Sequence, residues 1–192
     1  KIYENISQDD LIQESLSRSE GEIAKNGSLS VKTGNRTGRS PQDRFIVNDN
    51  LTESTVDWGE INKPFDQKNF VTLWERVETY LSKKDVFVSN LHVGEHSTHY
   101  IPIQIKTQWA WHNLFGSQIF IKPRNFNPSN KEVWNVMSAP KFVCDPKRDG
   151  TNSDGAVIIN FSENKVLIAG MQYAGEMKKS MFSVQNFLLP EK

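Results

Sequence analysis

A chain of 192 residues, 36% hydrophobic and 24% charged, is polar but can still bury the core of one sizeable domain. Its 23 basic and 23 acidic side chains cancel, which argues against nucleic acid or a membrane surface as the main partner. A single cysteine, Cys144, excludes an internal disulfide and fits a reducing compartment; no signal peptide opens the chain and no apolar run nears the roughly 18 residues that span a bilayer, so a cytoplasmic protein is expected.

In chain order, 7–21 reads as a helix, with Leu11, Ile12 and Leu16 in register, Ser7 as N-cap and Gly21 as stop. Residues 27–34 alternate as a short strand and 44–47 (RFIV) as the next. The stretch 48–66, broken by Gly59 and Pro64, reads as a long connection. Residues 66–85 are the clearest helix: Phe70, Leu73, Trp74, Val77 and Leu81 form one stripe. Strands are expected at 86–93 and 100–106, then a short helix over 107–115 capped by Thr107, and a short apolar run at 118–123. Residues 155–170 read as two strands about a Ser-Glu-Asn-Lys turn, and 175–189 as a closing helix bearing Met177, Met181, Val184 and Leu188. Helices and strands mix without regular β-α-β alternation. The expected class is therefore α/β (α+β-like), with a mixed β-sheet flanked by helices in a single domain over 1–192.

Two stretches carry chemistry. In VKTGNRTGRSPQDRF (31–45), glycines and Pro41 stiffen a turn around Arg39. A guanidinium fork there suits a carboxylate or phosphate, although an ordinary loop with a solvated arginine fits the same residues. In GMQYAGEMKKSMF (170–182), a strand ends at Gly170, a loop carries Tyr173 and Gly175, and a helix starts at Glu176. Lys178 and Lys179 then oppose the dipole of that helix, as an anion site would require; a solvated pair on a surface helix is the plainer alternative. His92, His96 and His99 have metal-like spacing, but Gly94 interrupts them between two strands, so a loop role is expected. His112 is expected to be core or edge packing and Cys144 an inert small hydrophobe. A cation site of Asp149 and Asp154 matches no calcium loop. No G-x-x-x-x-G-K-S/T phosphate loop occurs.

Taken in order, TGNRTGRSPQDRF, WAWHNLF and the run from DPKRDGTNSDG through YAGEMKK to FLLP resemble ATP-dependent phosphoenolpyruvate carboxykinase over nearly the whole chain. The resemblance implies decarboxylation and phosphorylation of oxaloacetate by ATP to phosphoenolpyruvate, CO2 and ADP, a step of gluconeogenesis. It implies that this chain is the N-terminal substrate domain, inactive alone, whose partner is a C-terminal mononucleotide-binding domain with the phosphate loop. The chain starts at Lys1 and stops after LLPEK, which also suggests a piece of a longer protein. By the same resemblance Arg39 grips the substrate carboxylate, the ring edge of Tyr173 lines the phosphoenolpyruvate and CO2 site, Lys179 ligates Mn2+ (or Mg2+), and Lys178 contacts the transferred phosphate. Two departures are Lys122, in FIKP where FIRP is common, and Ala174, where some members have glycine. A non-catalytic phosphoenolpyruvate- or dicarboxylate-binding module and a GTP-dependent relative are the alternatives.

Overall fold

In the computed structural model, which describes residues 1–36, 40–128 and 131–189, strand β10 (Lys165–Ala169) shows how the core is laid out. Val166 and Ile168 point to one face, Leu167 and Ala169 to the other, and all four are buried. A strand covered on both faces becomes a continuous apolar run, which is why "VLIA" and the "AVII" of β9 (Ala156–Asn160) are legible in the sequence.

These two strands form an antiparallel hairpin near the middle of an eight-stranded sheet. The remaining strands are β1 (Ile2–Glu4), β4 (Arg44–Asn48), β5 (Lys63–Asp66), β6 (Val86–Val93), β7 (Ile101–Thr107) and β8 (Trp134–Ala139), in the spatial order β1-β6-β7-β8-β10-β9-β4-β5. The β6–β7 pair is antiparallel; β1–β6, β7–β8, β8–β10, β9–β4 and β4–β5 are parallel. The sheet is mixed, as expected. A separate two-stranded ribbon joins β2 (Gly21–Ile23) to β3 (Leu29–Val31).

Helix α2 (Gln67–Ser82) covers one face, capped by the Asp66 side chain, which accepts from Asn69 N–H at 2.8 Å. Its stripe of Phe70, Leu73, Trp74, Val77 and Leu81 is buried against Val47, Phe65, Met137, Ile158 and Leu167. Each large apolar side chain removed from water there contributes about 1.5–3 kcal/mol. Helix α5 (Gly175–Leu188) covers the opposite face, with Met177, Met181 and Val184 packed on Ile103, Ile105 and Ile168. Helix α3 (Ala110–Ile119) lies beside it: a Cβ on Gly116 would press on the Ile105 Cδ1 and Met177 Sδ atoms, so glycine lets α3 pack there without displacing those side chains. Helix α1 (Gln8–Ser17) rests on α3 through Leu11, Ala110 and Leu114.

The structure differs from the sequence reading in six places. β1 is three residues long and pairs with β6, which local periodicity is too short to reveal. β5 lies inside the expected connection and contains Pro64; it is the last strand of the sheet, where a missing N–H is tolerated. β8 follows a polar stretch and was not expected. Helix α1 stops at Ser17 rather than at Gly21, which opens β2. Thr107 does not cap α3. The Glu20 carboxylate, 90 residues away in sequence, accepts from Ala110 N–H at 3.2 Å and Trp111 N–H at 3.0 Å. The turn-rich segment after Cys144 holds a single helical turn, α4 (Pro146–Asp149), capped by Asp145.

Candidate functional site

Strand β10 delivers the chain into a short loop, 170–174, and then into α5. The loop begins at Gly170, whose φ is 68° and whose added Cβ would meet the Asp154 carbonyl oxygen at 2.5 Å, so glycine is required twice over. Tyr173 folds its ring over the helix start: a Cβ on Gly175 would lie 2.5 Å from the ring carbons Cε1 and Cζ. The close approach falls at Gly175, while Ala174, one of the two departures noted above, is simply buried. Among the described residues no side chain caps the N-terminus of α5.

Tyr173, Lys178, Lys179 and Phe182 line one cavity of about 460 Å³ together with Gly175 and Glu176. The structure thus brings three of the four expected site residues together. The two lysines are not equivalent: Lys178 is exposed and Lys179 half-buried. Lys179 also borders a larger cavity of about 760 Å³ walled by Gln42, Arg44, Lys63 and Ser183. An adjacent pair on a wholly solvated face would not show that asymmetry.

Arg39 lies outside the described residues, but both ends of its loop are described, and the first of them meets the loop that leaves β10. At Gly34 (φ 73°) an added Cβ would stand 2.8 Å from Gln172 Oε1. The Arg36 guanidinium donates to Ser153 Oγ at 2.9 Å and to the Gly170 carbonyl at 3.5 Å, and pairs with Asp154 and with Asp43 at 3.5 Å. On the far side, Asp43 accepts from Ser40 Oγ at 2.5 Å and Ser153 Oγ at 2.6 Å. Burial alone would raise the Asp43 carboxyl, but hydrogen bonds from Ser153, Ser40 and Asn152 and the Arg36 charge outweigh it and hold it below its ordinary value. The opening loop is therefore pinned to the loop that leaves β10.

Sequence reasoning missed two charged neighbours. Glu176, 1% exposed, has no hydrogen-bond partner for either carboxylate oxygen among the described residues, and Arg44 Nε stands 3.8 Å from it. A glutamate in a first helical turn is ordinary, so nothing in the sequence marks this one. Arg44 begins β4 and reads locally as a strand residue.

The other candidates are placed elsewhere. His92 stacks on Tyr100 with ring centroids 4.2 Å apart, while His96 and His99 are exposed, their rings tilted against each other with centroids 4.8 Å apart. Asp149 is buried against Arg76 and Arg148, and Asp154 holds Arg36, so both acids already serve arginines. Among the described residues no group of three or more His, Cys, Asp or Glu stands together as a metal cage. Cys144 is buried, and burial pushes its thiol up to about 12, which keeps it unreactive. His112 is buried as expected but is more than packing, because both ring nitrogens have polar partners.

A family model described as phosphoenolpyruvate carboxykinase matches residues 1–192. Among curated relatives, phosphoenolpyruvate carboxykinase (ATP) of Bacillus pumilus is 42% identical over 191 residues, covering 98% of this chain and 36% of the relative. The proteins of the same name from Geobacillus kaustophilus and Bacillus subtilis are 43% and 42% identical, covering 99% and 100% of this chain. The chain spans 36% and 37% of those two relatives. With the family model matching all 192 residues and relatives more than 40% identical along the whole sequence, the chain belongs to the phosphoenolpyruvate carboxykinase (ATP) family.

Proposed function

We propose that this chain is the N-terminal, substrate-binding part of a cytoplasmic enzyme that uses ATP to convert oxaloacetate into phosphoenolpyruvate, CO2 and ADP. A C-terminal nucleotide-binding domain outside these 192 residues would complete the site. The observation that supports this best is the shared cavity of Tyr173, Lys178 and Lys179, with Gly34 and Arg36 of the opening loop held against the 170–174 loop.

In this reading Arg39 holds the substrate carboxylate so that the breaking C–C bond lies across the carbonyl π system, an orientation effect. The Tyr173 ring, locked over Gly175, walls the substrate and excludes water on that side. Lys178, exposed at the cavity rim, meets phosphoryl oxygens arriving from solvent or from the second domain. The uncapped N-terminus of α5 adds positive potential to the same place.

The described residues fit a metal only in part. Lys179 offers one amine and Glu176 one carboxylate, but among the described residues no group of three or more His, Cys, Asp or Glu completes a metal site there. A bound Mn2+ or Mg2+ would supply Lewis-acid stabilisation of oxygen charge there.

Arg39→Ala in the full-length enzyme tests the reading. Loss of the charged partner is expected to cost about 2–5 kcal/mol in kcat/KM for oxaloacetate. A wild-type kcat/KM would remove Arg39 from the site. Gly175→Ala should act more gently, pushing the Tyr173 ring off the helix start. Steady-state kinetics should show KM for oxaloacetate raised by roughly 5- to 30-fold, as for about 1–2 kcal/mol of lost binding.

A further inference from the structure

The loop 170–174 carries Tyr173, yet few groups hold its backbone. At one end Gly170 N–H donates to Ala139 O at 2.9 Å, and at the other Ala174 O accepts from Met177 N–H at 3.1 Å. Beyond Gly170, whose carbonyl accepts from Arg36 at 3.5 Å, the one backbone anchor given by the described residues is the Gln172 carbonyl, 2.9 Å from His112 Nε2. A carbonyl can only accept, so Nε2 carries the proton. In a neutral ring Nδ1 is then bare, and at 3.1 Å it accepts the Ser138 hydroxyl proton. Ser138 sits in β8 and His112 in the middle of α3, both 1% exposed. The carbonyl thus fixes the tautomer, and the Ser138 hydroxyl, which can donate to the bare Nδ1, holds the ring in that orientation.

The grip extends further. The side chain of the same Gln172 packs against Gly34, so whatever fixes residue 172 also fixes the first part of the 33–43 loop. One imidazole therefore links the sheet, α3, the Tyr173 loop and the opening loop.

We propose that His112 is a positioning residue: its Nε2–H, oriented by Ser138, holds the Gln172 carbonyl and so sets where Tyr173 stands against the substrate. This rests on the functional reading above for the role of Tyr173, but not for the hydrogen bonds. His112 does not touch substrate.

The test uses the full-length polypeptide with His112→Phe, His112→Gln and Ser138→Ala, reading amide hydrogen exchange, kcat and KM. His112→Phe keeps a ring of similar size but loses both nitrogens. Its 170–174 amides should exchange at least about tenfold faster, with those of β9 and β10 unchanged, as for opening confined to one loop. KM for oxaloacetate should rise about tenfold with kcat less affected, the split expected of lost ground-state positioning. His112→Gln, which can still donate, should recover most of both effects. Ser138→Ala keeps the ring and its packing, so it should show a smaller change of the same kind even where His112→Phe does not fold. Unchanged exchange at 170–174 in His112→Gln and Ser138→Ala, and in any His112→Phe that folds, overturns the inference. Faster loop exchange with wild-type kinetics instead overturns the placing of Tyr173 at the substrate, and with it the functional reading.

Discussion

Lys179→Met in the full-length enzyme is expected to lower kcat/KM by roughly 100- to 1,000-fold, the range seen when one preorganised charge-stabilising group is removed from a reaction centre. Methionine keeps the length and much of the apolar volume of the stem, so the half-buried side chain can still pack between the two cavities. What is lost is the amine. Because Lys178 is exposed, Lys178→Met should do less harm, and the ratio of the two variants measures the asymmetry that burial creates. A Mn2+ titration separates two roles for the amine. A metal ligand shifts the half-saturating concentration upward, whereas a group that only meets anions leaves it in place. Wild-type metal dependence in Lys179→Met would refute ligation, and wild-type turnover would refute any part in the chemistry.

The second large effect is on stability. Burial pushes His112 down from 6.5 to about 4, opposed only in part by its bond to the Gln172 carbonyl. The folded value lies below the unfolded one, so the unfolded chain binds a proton that the folded chain refuses. Stability is therefore full above about pH 6.5, declines as pH falls towards 4, and is unaffected by this group below that. At 1.36 kcal/mol per pH unit the decline amounts to about 3 kcal/mol. His92, lowered by burial and by the Lys131 charge, adds a loss of the same sign. The informative quantity is thus the difference between wild type and His112→Gln, compared as urea midpoints at neutral pH and near pH 4.5. A pH dependence equally steep in the two proteins would show that His112 is not held neutral. Asp43, held below its ordinary 3.8, contributes in the opposite sense: its stabilisation is present above that value and is lost only on stronger acidification.

How much could be read without coordinates depended on whether a residue's partners were near it in the chain. The α2 stripe from Phe70 to Leu81, the β6 run and the β9–β10 hairpin were all legible, because a periodic pattern and a short turn are local. β5 was hidden by Pro64, which is harmless only because that strand has a single neighbour. The α3 cap was misassigned to Thr107 because the true cap, Glu20, comes from another element. Of the site, the motifs around Arg39 and Tyr173 stood out through their glycines, prolines and paired lysines. Glu176, Arg44 and His112 did not, since each is an unremarkable residue for the element it occupies.

Local order along the chain was enough to name the elements, their buried faces and the two loops with unusual chemistry, because helix and strand periods and turn preferences are properties of neighbouring residues. Folding alone decided that these loops meet. It set Gln172 against Gly34 and Arg36 against Gly170, and it gave His112 its partners 26 and 60 residues away. Such contacts are made by the crossing order of a mixed sheet and by burial that strips water from polar groups, and neither leaves a mark on the residues beside them.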